Sequence, residues 1–66
     1  MTPATIREIR RRLSLKQRDL ALRLRVSVVT VSRWERGESK PLPALAAALR
    51  SMAERLDLEA GHAGTQ

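Results

Sequence analysis

The sequence predicts an all-α domain, a compact bundle of four to five helices. Three observations carry that expectation. Apolar residues recur at helical spacing in four separate stretches; each stretch opens on a capping or proline signal; and no stretch alternates convincingly enough to pair into a sheet. With 66 residues the chain has room for one domain and one thin core.

The first helix is expected over Pro3 to Arg12. Thr2 is a good N-cap, Pro3 suits the first helical position, and Ile6, Ile9 and Leu13 fall on one face. The second is expected over about Lys16 to Leu24, with Leu20, Ala21 and Leu24 inward. Its start is open, because Ser14 with Gln17 three residues later also reads as a capping box, which would begin the helix two residues earlier.

In the third stretch two rules conflict. Val28, Val29 and Thr30 are consecutive β-branched residues and Val31 follows them, so local propensity favours a strand. The stretch is short, has Ser27 as an N-cap candidate and Gly37 at C′, and is flanked by helices, so a helix ending near Arg36 is expected. After the polar turn Glu38–Pro41, a fourth helix is expected from about Pro43 to Asp57, with Leu45, Leu49, Met52 and Leu56 on one stripe. Residues 1–58 then form the domain. Residues 59–66 form a disordered tail, since GHAGTQ holds two glycines and no apolar period.

Composition narrows the function. Lys and Arg number 13 against 7 Asp and Glu, giving +6 and a pI near 11.6. That balance suggests a polyanionic partner, nucleic acid first and an acidic membrane surface second. The charge is uneven: residues 1–40 carry eleven basic and four acidic residues, residues 41–66 two and three. A basic amphipathic membrane binder would join its cations to its apolar stripe, whereas here the helix with the stripe is nearly neutral, so no membrane partner is expected. The longest apolar run, Ala44 to Leu49, is far short of the ~20 residues that span a bilayer. MTPATIREIRRR has no apolar core of a secretory signal, so the cytoplasm is the expected location. The absence of Cys excludes disulfides and cysteine-ligated zinc, and a lone His gives no metal site; no metal or cofactor is expected. One thin core leaves little wall for a catalytic cleft, so the chain is not expected to be an enzyme.

Two short helices joined by a tight turn, the second exposing small and basic residues, suit the DNA major groove, which admits one α-helix. Leu15-Lys16-Gln17-Arg18-Asp19-Leu20-Ala21 and Val26-Ser27-Val28-Val29-Thr30-Val31-Ser32-Arg33-Trp34-Glu35-Arg36-Gly37, with Pro41 after the turn, resemble the helix-turn-helix of Cro/repressor-type regulators, the xenobiotic-response-element family. The resemblance covers roughly Ile6 to Leu56 and implies a lambda-repressor-like DNA-binding fold.

It also implies roles. Gln17 sits where the family's second helix bonds a phosphate. Ser27, Val28, Val29, Thr30 and Arg33 fall on base-facing positions, and Ser32, Arg36 and Lys40 on positions near the sugar-phosphate backbone. Arg10 and Glu35 match a structural ion pair between the first helix and the end of the third. Two departures stand out. Arg25 occupies a turn position that commonly holds Gly, which implies a positive φ at a cost of about 1 kcal/mol, with a phosphate contact from its side chain as compensation. Lys16 replaces the usual Ser or Thr cap and joins the backbone-contacting set.

The residue chemistry agrees. Arg33 lies one turn past Val29 on the same face and can fork onto guanine O6 and N7. Val28 and Val29 cannot hydrogen-bond and would touch thymine methyls. Trp34 is the sole aromatic and reads as core beside Val31, since single-strand binders interleave several aromatics with basic residues.

The expected function is therefore sequence-specific binding of double-stranded DNA by a small transcriptional regulator, a repressor. Such regulators read two half-sites, so a homodimer on an inverted repeat is expected, with Met52, Leu56 and Leu58 as candidate dimer contacts. The alternative is an antitoxin-type or phage-type regulator whose main role is to bind a protein partner through the fourth helix.

Overall fold

The computed structural model describes the backbone of residues 1–64 and the side chains of residues 1–56. Four helices follow one another: α1 (Pro3–Arg12), α2 (Gln17–Leu24), α3 (Val28–Glu35) and α4 (Pro43–Gly64), with no strand among the described residues. The class is all-α, as the apolar spacing indicates.

The starts follow the caps. Thr2 Oγ1 accepts the Thr5 N–H at 3.1 Å ahead of α1, and Ser27 Oγ accepts the Thr30 N–H at 3.2 Å ahead of α3. Such caps contribute about 1 kcal/mol each. For α3 the cap, together with burial of Val31 and Trp34, outweighs the β-branched run, so propensity loses to context. The open question at α2 is resolved in favour of the later start. Lys16 is the N-cap, and lysine has no acceptor to offer, so only the reverse half of a capping box forms: the Asp19 carboxylate accepts the Lys16 N–H at 3.0 Å. Ser14 caps nothing there; it lies in the left-handed region at φ 57°.

The ends of the first three helices share one device. After α1, Leu15 N–H bonds Arg10 C=O and Ser14 N–H bonds Arg11 C=O. After α2, Val26 N–H bonds Ala21 C=O and Arg25 N–H bonds Leu22 C=O; after α3, Glu38 N–H bonds Arg33 C=O and Gly37 N–H bonds Trp34 C=O. Each is a Schellman motif, which turns the chain through one left-handed residue. Those residues are Ser14 at φ 57°, Arg25 at φ 59° and Gly37 at φ 76°. Only the last is free of the Cβ penalty.

The core is one cluster: Ile6 and Ile9 from α1, Leu20 and Ala21 from α2, Val31 and Trp34 from α3, and Leu49 from α4. Trp34 is 3% exposed and therefore a packing residue. Leu13, Leu24, Leu45 and Met52 are only partly buried around this centre. The fourth helix departs most from expectation. It was expected to end at Asp57 before a disordered tail, yet its backbone stays helical through Gly64, about two turns further. Leu58, Glu59 and Ala60 are good helix formers, and Gly61 costs only about 1 kcal/mol, too little to stop a helix already nucleated. Leu58, a candidate dimer contact, lies outside the described side chains.

Candidate nucleic-acid interface

α3 buries Val31, Trp34 and Glu35, which fixes the direction in which its other face points. At 100° per residue the opposite side is centred on Val29, Arg33 and Arg36, with Val28 and Ser32 on one flank and Thr30 on the other. Exposure follows that wheel: Val28, Val29, Arg33 and Arg36 are exposed, while Thr30 and Ser32 are half-buried. α2 and α3, joined by the left-handed turn at Arg25, pack directly on each other.

The base-facing candidates differ in what they have left to offer. Ser27 and Thr30 bond each other through their hydroxyls at 2.9 Å, and Ser27 also takes the Thr30 N–H, so one hydroxyl hydrogen remains between them for an outside acceptor. Arg33 has no hydrogen bond or ion pair within the described chain; its charge acts only through space, on Glu38. Its side chain is exposed.

The backbone-facing candidates divide as well. Lys16, Arg25 and Lys40 are exposed. Arg36 is occupied: Nε and Nη2 donate to the Glu38 carboxylate at 2.7 and 3.3 Å, and Nη1 donates to Ser32 Oγ at 2.9 Å. The hydrogen bonding of Arg36 to Glu38, helped by the charges of Arg36 and Arg33 against a desolvation cost, holds the Glu38 carboxyl below its ordinary value. Glu8 is lowered by the corresponding bond from Arg11, whose own value Glu8 raises.

Gln17, the first residue of α2, turns inward. Its Nε2 donates to Glu35 Oε1 at 3.0 Å, leaving its second N–H for another acceptor. Glu35 is 6% exposed and carries a charge, which requires partners. Arg10 supplies a two-bond fork, Nε to Oε2 at 2.8 Å and Nη2 to Oε1 at 3.0 Å, and also reaches Leu15 C=O at 3.3 Å. Arg7 Nη1 donates to the Glu35 carbonyl at 2.6 Å, placing a cation on the C-terminal end of α3, where the helix dipole favours it. One buried carboxylate thus ties α1, α2 and α3 together and fixes the pose of the exposed face. Among the described residues no buried side-chain polar atom lacks a partner.

Three of these contacts have no signature in the sequence: Arg7 to the Glu35 carbonyl, Gln17 to Glu35, and Arg36 to Glu38. The first two join residues 28 and 18 apart, and the third crosses a helix end, where the three- and four-residue rule stops applying.

A short helix packed behind a second one, joined through a left-handed turn and presenting an exposed arginine to solvent, is the arrangement of a helix-turn-helix. The helix-turn-helix family signature matches residues 6–57, and the chain belongs to that family, in its Cro/repressor-like xenobiotic-response-element branch. It is a DNA-binding regulatory domain. No match was found among curated proteins or among solved structures.

Proposed function

We propose that the chain is a sequence-specific reader of double-stranded DNA that represses transcription by occupying its operator. The carrying observation is the exposed side chain of Arg33, which has no hydrogen bond or ion pair among the described residues, beside exposed Val28 and Val29, on a helix whose back is fixed by Glu35. Arg33 makes the hydrogen-bonded base contact, Val28 and Val29 the apolar ones, and Ser27 or Thr30 a single further bond. Lys16, Gln17, Arg25, Ser32, Arg36 and Lys40 contribute the phosphate contacts, which set register rather than sequence.

A homodimer on an inverted repeat fits one short recognition helix per chain, because a single half-site specifies few base pairs. Met52 and Leu56 are the contacts we assign to it within the described side chains. Both line an open cleft of about 340 Å³ that also takes in Leu13, Ala48 and the edges of Arg23 and Arg55. The same cleft supports the second reading, a protein partner seated on α4. A reader of duplex DNA works where the DNA is, which supports a cytoplasmic location; no described helix is long and apolar enough to cross a membrane.

Selection from a randomised duplex library near physiological salt tests the reading, since non-specific phosphate binding is weak there. Enrichment of a two-fold symmetric site supports a dimeric regulator, and an unsplit half-site supports a monomer or a partner-dependent dimer. No enrichment removes the reading and leaves the protein-binding role of α4 in its place.

A further inference from the structure

We propose that α3 reads pyrimidine C5-methyl groups, so that 5-methylcytosine substitutes for thymine at the base pairs facing Val28 and Val29. The proposal rests on the duplex-reading function above and specifies which duplexes it takes.

Val28 and Val29 are 41% and 53% exposed, on the first turn of α3, the part of a groove-bound helix that reaches base edges. Two adjacent isopropyl groups held in water are unfavourable for the free domain, and they offer no donor or acceptor to any base. Their polar neighbours Ser27 and Thr30 are largely engaged with each other. The polar reading of this face therefore falls mainly on Arg33, and the valines select by shape and apolarity.

In the major groove the apolar feature of a base-pair edge is the thymine C5-methyl, which cytosine lacks. A methyl on cytosine C5 occupies the corresponding place on the pyrimidine ring. The two bases then differ at the exocyclic position, O4 against N4, which a valine cannot sense by hydrogen bonding. Arg33 lies four residues past Val29, about 6 Å along the helix, which is under two base-pair steps of 3.4 Å. A methylated C·G pair thus puts a methyl within reach of the valines and a guanine within reach of Arg33.

The test uses the duplex enriched by selection. Each thymine is replaced singly by uracil, which deletes the methyl and keeps every hydrogen-bonding group. The positions that respond are then rebuilt as C·G and as 5-methyl-C·G. We expect one or two positions at which uracil weakens binding about fourfold per methyl, equivalent to ~0.8 kcal/mol. At those positions cytosine weakens binding at least as much, and 5-methylcytosine restores it to within about twofold of thymine. V28A or V29A should abolish the thymine-uracil difference at its own position while the guanine preference set by Arg33 persists. Both side chains are exposed, and thermal unfolding checks that the variants stay folded. Equal binding of thymine and uracil at every position, or 5-methylcytosine binding no better than cytosine, overturns the proposal while duplex reading stands. A library that enriches no site overturns both.

Discussion

Arg10 grips Glu35 through two parallel hydrogen bonds, at 2.8 and 3.0 Å, across the 25 residues that separate them in the chain. The carboxylate is almost wholly enclosed, and removing its principal counter-charge leaves a buried charge with Gln17 as its remaining side-chain partner. R10A should therefore lose about 3–5 kcal/mol of stability, and E35A a comparable amount by orphaning the arginine. For so small a core that is most of the total. Urea unfolding measures the loss. At a temperature where the variants remain folded, their order of preference among operator variants should be unchanged; a changed order would assign the pair to recognition instead.

Gln17 should show a double phenotype. Its bond to a charged acceptor is worth about 1.5–3 kcal/mol, and Q17A should lose part of that in urea unfolding. Q17E should be worse than Q17A, because it sets a second carboxylate against Glu35. In salt titrations Q17A should also weaken binding to all duplexes alike, through the phosphate contact proposed for it.

The left-handed residues Ser14 and Arg25 invite replacement by glycine. Removing the Cβ penalty gains about 1–2 kcal/mol, and the greater freedom of glycine in the unfolded chain returns about 0.5–1 of it. S14G should raise stability modestly and leave DNA affinity alone. R25G should raise stability similarly yet weaken DNA binding, because the guanidinium is lost. A parallel rise in both quantities for R25G would remove Arg25 from the phosphate-contacting set.

Arg36 is held by Glu38, so the pair brings little net charge to the DNA. E38Q should strengthen binding to every duplex and steepen the decline of log K with log salt by up to about 0.9, the slope for one further neutralised phosphate. R36A should cancel that gain. The surface pair itself contributes little to stability. Because the Glu38 carboxyl titrates below its ordinary value, its contribution is in place above the unfolded-state value and is lost as pH falls through the folded one.

Much of the fold was legible because local chemistry fixes it. Thr2, Ser27 and Pro43 mark helix starts and Gly37 a helix end, and burial at helical spacing places Ile6, Ile9, Leu20 and Leu49 inside. Even the β-branched run of α3 could be assigned correctly, since two caps and flanking helices outweigh a propensity spread of about 1 kcal/mol. Three features were harder to read. Ser14 looks like a cap in one dimension, but the Schellman turn after α1 takes it into the left-handed region. The end of α4 carries no decisive stop signal. At the proposed interface, the family resemblance implies phosphate contacts for Gln17 and Arg36, while their bonds to Glu35 and Glu38 depend on how separate turns meet in space.

In the proposed complex Arg33 reads a base while Lys40 only meets the backbone. The most direct measurement is the affinity of R33A and K40A for the selected operator and for its full set of single-base-pair variants, at two salt concentrations. R33A should flatten discrimination at one position by ~1–3 kcal/mol and leave the others intact. K40A should weaken all sequences by the same factor and lower the salt slope by about 1. Identical behaviour of the two variants would contradict the placement of α3 in the major groove.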